Sequence, residues 1–424
     1  MSSIFKQLWH THDLRDKIVF VALMMVVFRI AAHIPIPGVD PLALENIFSQ
    51  NQVLGLFNVF SGGALENFSI VMLGVSPYIT SSIIFQLLQL IVPQFEELAK
   101  EGASGQQKLN MYTRIATIPL AALQGFGTIT LLQSAAGGGV LNNTMSLWQW
   151  VVAITTVTAG SIFLMWIGEL ITEKNIGNGV SLLIFAGIIA ALPTSLQQIF
   201  ISFDSSQIPT LLGFIIVGFV TIVGVVYVTE GQRNIPISHA RHHSATGQKS
   251  YLPIRVNQAG VIPIIFAISL VLVPPLVAQY ALQYEIASLQ GFLEGVISTF
   301  NNQLYYGIMY FLLVFVFTYF YTAVIFKPDR IAENLQRGGS FIPGVRPGKD
   351  TEHYLQTVSN RILLTGALFL GFIAVLPLIV QAFSSGGLQN LAIGGTSLLI
   401  VVSVAIETVK QIEAQLVLRE YDKF

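Results

Sequence analysis

The chain has 424 residues, 53% of them hydrophobic and only 10% charged, a balance outside that of soluble globular domains. This excludes a water-soluble enzyme or binding module and makes the chain an integral membrane protein. The net charge of -1 says little in sum, and the lack of cysteine removes disulfides, thiolate metal sites and thiol nucleophiles.

Residues 1–17 place Ile4, Phe5, Leu8 and Trp9 at helical spacing beside Lys6, followed by the charged run Asp13, Arg15, Asp16 and Lys17. This predicts a short amphipathic helix lying on the membrane surface. The apolar run from Ile18 to Ile36 is long enough to cross a bilayer, and without a small-residue cleavage site it reads as a retained first span. Nine more spans are predicted at 70–92, 113–133, 148–168, 176–193, 208–228, 257–277, 304–326, 362–381 and 394–416. Each is near the roughly 20 residues that a bilayer requires.

The charges sort by loop. Lys6, Arg15 and Lys17 precede span one; Lys100, Lys108 and Arg114 separate spans two and three; Lys174 separates four and five. The loop 230–256 carries Arg233, Arg241, Lys249 and Arg255, and the loop 327–361 carries Lys327, Arg330, Arg337, Arg346, Lys349 and Arg361. The opposite loops hold only acidic charges, Asp40, Glu45, Glu66, Asp204, Glu285 and Glu294. The positive-inside bias therefore predicts both termini in the cytoplasm.

Two motifs recur in order. GVSPYI at Gly74–Ile79 returns as GVIPII at Gly260–Ile265, and G-x-S-L-L-I at Gly179–Ile184 returns at Gly395–Ile400. The pairing predicts an internal duplication into halves 18–200 and 201–424, joined from Pro193 onward. Five spans per half make the second half inverted, with a shared site between them near the midplane.

Matched positions facing the pseudo-dyad form a ring: Ile79 with Ile265 and Ile184 with Ile400, joined one turn earlier by Val75 and Val180. All are aliphatic, and spans two, five and seven hold no carboxylate of the kind coupled transporters use. Glu407, in span ten, stands near the cytoplasmic end. Polar walls accompany the ring: Ser82, Gln86 and Gln89 share one face of span two. An uncharged aliphatic constriction closes by dewetting and offers nothing to select an ion. Arg29 is the only basic residue well inside a span, costing about 2.5–3.5 kcal/mol at mid-depth, and is expected to find backbone carbonyls or the outer surface. The outer segment 57–68, with Phe57, Phe60, Leu65 and Phe68 around Ser61, Gly62 and Gly63, is too apolar for an external loop. It is predicted to fold back into the outer mouth as a short helix hinged at the glycines.

FSGGALENFSI, GVSPYITSSIIFQLL, MWIGELITEKNIGNGVSLLIFAG, NQAGVIPIIFA, FIPGVRPG and GGTSLLIVV together resemble the bacterial SecY family, protein-conducting channels of the general secretory translocase. The resemblance runs from about Phe5 to Lys410. It implies an all-α membrane fold, a clamshell of ten helices in two inverted five-helix halves hinged between spans five and six. It assigns Val75, Ile79, Val180, Ile184, Ile265 and Ile400 to the pore ring, and Phe57, Phe60, Ser61, Gly62, Gly63, Leu65 and Phe68 to the plug. The two valines depart from the isoleucines frequent in the family, shifting weight in the seal to the plug. It places the lateral gate between spans two and three and spans seven and eight, with Thr80, Gln124 and Asn257 as its polar cluster. Docking of the ribosome and the SecA ATPase falls to Arg233, Arg241, Lys249, Arg255, Arg337, Arg346 and Lys349. The small membrane subunits SecE and SecG, secretory precursors with their signal sequences, and the lipid bilayer of the cytoplasmic membrane complete the implied partners. No cofactor, metal or catalytic residue is implied.

Competing motifs are weaker. Gly102-Ala103-Ser104-Gly105 matches the G-x-S-G of rhomboid intramembrane proteases, but no histidine stands in a late span to act as base. His239, His242 and His243 have metal-like spacing in a polar loop without an obvious fourth ligand. No phosphate-cradling G-x-x-x-x-G-K-[ST] occurs, so energy from nucleotide hydrolysis must come from a partner. The rival readings are an inverted-repeat secondary transporter of small solutes and a non-conducting scaffold.

Overall fold

The computed structural model describes residues 11–36, 58, 61–135, 147–201, 208–239, 250–282, 289–383 and 394–421. In chain order the helices are α1 (His12–Ala31), α2 (Ser76–Ile91), α3 (Pro93–Lys100), α4 (Ala103–Ala135), α5 (Leu147–Glu173), α6 (Gly179–Ile201) and α7 (Ile208–Glu230). After β1 (Gln232–His239) and β2 (Ser250–Arg255) come α8 (Ile262–Leu282), α9 (Gln290–Asn301), α10 (Gln303–Ile325) and α11 (Pro328–Arg337). The two-residue β3 (Ser340–Phe341), α12 (Lys349–Phe383) and α13 (Gly394–Tyr421) follow. Among the described residues, α5, the run Gln303–Arg337 that contains α10, and Lys349–Leu376 of α12 are long and apolar enough to cross a membrane.

Several boundaries differ from the sequence reading, each for a local reason. Asp13, Arg15, Asp16 and Lys17 open α1 itself and form no separate surface helix; residues 1–10 lie outside the described residues. Residues 61–75 are consecutive turns, so the second apolar segment becomes helical only at Ser76, where Pro77 sits in the first turn with no amide hydrogen to lose. Its far end breaks at Val92, held extended by Pro93, and α3 leaves at 99° to α2. Phe85, Phe95 and Tyr112, from α2, α3 and α4, lock that corner with centroids 5.7–6.2 Å apart. The fifth segment does not end at Pro193, which lies inside α6.

The fold is not purely helical. Among the described residues a three-stranded antiparallel sheet of order β2-β1-β3 occupies part of the two basic loops. Gln232–Ile237 pairs with Ser250–Arg255, and Ser238 and His239 pair with Phe341 and Ser340. The alternation in QRNIPISH turns Ile235 inward, where it meets Ile254, Ile342, Leu355 and Val358 in a small core of its own. Phe326 and Ile331 pack on that core, tying α11 and the start of α12 to the sheet. The tie is close at the hairpin base: a Cβ on Gly366 of α12 would stand 2.6 Å from the Val256 carbonyl oxygen.

The main core is one large aliphatic and aromatic cluster shared by α1, α2, α5, α6, α8, α10, α12 and α13. Helix surfaces turned away from it remain apolar: Ile215, Ile216, Phe219, Val220 and Val223 of α7 are all exposed. In water such a face would drive association; facing lipid it needs no partner.

Candidate functional site

The repeated motifs take the same backbone form in both copies. Gly74 and Gly260 have φ of 58° and 63°, a left-handed bend that only glycine adopts freely, each two residues before a helix and three before a proline. Ile79 then donates its amide to Val75 (3.1 Å), and Ile265 donates to Val261 (3.3 Å). In the other pair, α6 starts at Gly179 and α13 at Gly394, with Ser181 and Ser397 buried in the first turn of each. The second motif in each half therefore opens a helix on the main core.

The aliphatic candidates fall in the same apolar core. Val75, Ile79, Ile184, Ile265 and Ile400 are all buried members of the main cluster, and Val180 packs on it half-buried. Residues from the start of α2 and from α6, α8 and α13 thus share one buried cluster that contains no charged side chain. Ala64 and Val71 of the turn segment join the same cluster.

The turn segment is pinned on several sides. Ser61 Oγ donates to the Asn58 carbonyl (2.9 Å) and accepts from the Leu65 amide (3.2 Å). Asn58 and Glu66 exchange two further bonds, of 2.8 and 3.0 Å. Gly62 and Gly63 have φ of 71° and 78°, so the glycines build tight turns, and the described residues 61–68 are not helical. Phe68 adopts φ of 43° and is buried, as are Ser61, Gly62 and Leu65, whereas Gly63 is half-buried. Phe57 and Phe60 lie outside the described residues. Arg29 Nη1 donates to the Gly62 carbonyl, the backbone partner expected for a cation at that depth.

Gln124 Nε2 of α4 donates to Thr80 Oγ1 of α2 (3.2 Å), and Thr80 Oγ1 donates to the Ser76 carbonyl (3.0 Å). This bond joins two helices of the same half. Asn257 is buried just ahead of α8, which packs on both α2 and α4, yet its Oδ1 has no hydrogen-bond partner among the described residues. Gln124 Oε1 and Gln86 Oε1 are likewise buried without one. α8 thus meets α2 and α4 without a side-chain hydrogen bond from Asn257, Gln124 or Gln86 to α8 among the described residues.

Of the docking candidates, Arg233 and Arg255 are exposed on the hairpin, and Arg337 pairs with Glu333 at 2.5 Å. Arg346 is exposed on a turn fixed from both sides: the Val345 amide donates to Ile342 (3.1 Å) and Thr351 Oγ1 donates to the Arg346 carbonyl (2.8 Å). Gly344 and Gly348, with φ of 84° and 98°, flank it, and Lys349 opens α12. Arg241 and Lys249 lie outside the described residues, as do His242 and His243. The G-x-S-G motif is structural: Gly102 (φ 77°) lies between α3 and α4, and a Cβ on Gly105 would stand 1.7 Å from the Leu98 carbonyl oxygen. Sequence reasoning missed the Arg114–Glu169 pair (2.6 Å) between α4 and α5 and the Lys410–Glu230 pair (2.7 Å) between α13 and α7.

Comparison with known proteins agrees with this architecture. The SecY family model matches residues 69–409. The protein translocase subunits SecY of Mycobacterium bovis and Corynebacterium glutamicum are 42% and 43% identical, over the whole of this chain and 100% and 99% of theirs. A solved structure described as "The structure of a protein conducting channel" superposes with a TM-score of 0.65 at 18% identity, covering 94% of this chain and 91% of that one. Sec61 in a canine ribosome-channel complex gives 0.62 at 17% identity, with the same coverages. By fold, motif order and full-length similarity, the chain belongs to the SecY family.

Proposed function

We propose that this chain is the central subunit of a protein translocation channel, passing unfolded secretory polypeptides across the cell membrane and releasing signal and transmembrane segments sideways into lipid. The observation that carries the reading is that five of the six uncharged aliphatic candidates are buried in one core cluster and Val180 packs on it, with Ala64 and Val71 of the turn segment in the same cluster. Aliphatic walls hold no fixed ligand, so they yield around chains of any sequence and exclude water when the chain is gone. Ten crossings in two inverted halves, both termini cytoplasmic, fit the loop charges and the shared backbone form of the repeats. Residues 57–68 serve as the plug, and the α2/α4 face against α8 serves as the gate.

The hairpin β1–β2 and the Arg346 turn form the cytoplasmic docking surface for a ribosome or the SecA motor, while SecE and SecG attach from within the membrane. Arg346 is the strongest single candidate, because a charge held on a fixed turn without an ion pair among the described residues is prepared for an external partner. Chemical work is left to those partners; the chain itself is a conduit.

Reconstitution separates the alternatives. Removing residues 57–68 should produce ion leak without a solute gradient. Saturable, coupled solute flux would favour a transporter, and neither behaviour would leave a scaffold.

A further inference from the structure

Arg29 lies in an otherwise apolar stretch of α1, half-buried, with its guanidinium on the Gly62 carbonyl. The fit around Gly62 is close. With φ of 71°, a Cβ there would stand 2.8 Å from Cα of Gly187 on α6 and 3.1 Å from Cζ of Phe28 on α1. The turn therefore enters the notch between α1 and α6 backbone first, presenting a carbonyl where a side chain would not fit. Its exit is fastened to the stretch that follows α1: Ile36 donates to the Phe68 carbonyl (2.9 Å) and Ile70 donates to the Ile34 carbonyl (3.0 Å). The segment is thus held at one end by a charge on α1 and at the other by backbone bonds to the residues just after α1.

The two fastenings respond differently to water. Backbone pairing costs little to keep in any state, whereas a guanidinium in a dry site depends strongly on its acceptor. If the turn withdraws while the mouth is dry, the cation loses its partner. If water has entered, hydration replaces the lost bond and release costs little. We infer that Arg29 is the latch of the outer turn: its bond to Gly62 sets how readily residues 61–68 leave the mouth, and so how strictly the channel selects its signal segments. This rests on the plug reading above.

The test is potassium efflux from vesicles containing the translocase complex with its partner subunits. Arg29→Met in the full chain should raise resting efflux about ten-fold, the effect of losing one charge-assisted hydrogen bond from a closed state. The same substitution in a chain lacking residues 57–68 should add nothing. Arg29→Lys, which keeps a cationic donor, should recover most of the seal. Gly62→Ala, which spares the guanidinium but forces the turn off α6, should also leak. Wild-type efflux from Arg29→Met, equal efflux from the Lys and Met variants, or an equal further rise without the turn would overturn the latch. A tight seal after deletion of the turn alone would instead defeat the plug reading itself, and the latch with it.

Discussion

In the proposed channel, single aliphatic side chains carry the seal. Ile79 and Ile400 are buried in the main cluster, so Asn at either position places an amide in an apolar site at about 1–3 kcal/mol and draws water to the constriction. Ile400→Asn should therefore raise ion leak and admit precursors with defective signal sequences; unchanged leak and unchanged stringency would remove Ile400 from the seal. Thr80 makes a smaller contribution. Thr80→Val removes the acceptor for Gln124 Nε2 and should weaken the α2–α4 contact by about 1 kcal/mol, read as a lower unfolding temperature in detergent. The aliphatic positions were legible because a repeated motif can be aligned with itself. The Arg29–Gly62 bond was not: sequence identifies a cation at depth, but which carbonyl meets it depends on a turn whose two glycines have positive φ.

Helices and strands set what moves against what. α8 packs on α2 and α4 with Asn257 at its head and no hydrogen bond from Asn257 to Thr80 or Gln124, so little polar bonding resists separation there. Cysteines at positions 80 and 257 joined by a short cross-linker should stop export, and normal export through the joined pair would show that the chain does not open at this face. In the proposed channel, Arg346→Glu should impair translocation while leaving the protein folded and inserted, since the side chain is exposed and its turn is held by bonds that do not involve the guanidinium; wild-type export would reduce that arginine to a topology signal. Helix existence and type read well from apolar run length. The sheet did not, because β1 and β2 are short, carry Pro236 and Pro253, and gain their stability from Ile342 and Leu355 far along the chain. The corner at Pro93 was legible in principle, because a residue before proline is driven to extended backbone, although an apolar run gives no direction for the bend.

At the scale of the whole molecule, the loop charges, the paired glycine bends and the shared aliphatic cluster are independent features that fit the proposed arrangement of two similar moieties meeting at a chargeless waist. Apolar periodicity alone could not distinguish this from a transporter, because both bury the same helices in lipid; what differs is whether the shared midplane site holds charge. The most direct test is photo-cross-linking from probes at Ile79 and Ile265 to a secretory precursor stalled in transit. The account predicts adducts from both positions to the mature part of the stalled chain, and none once the precursor has been released. Cross-links to lipid alone from both probes, with the precursor demonstrably engaged, would contradict it.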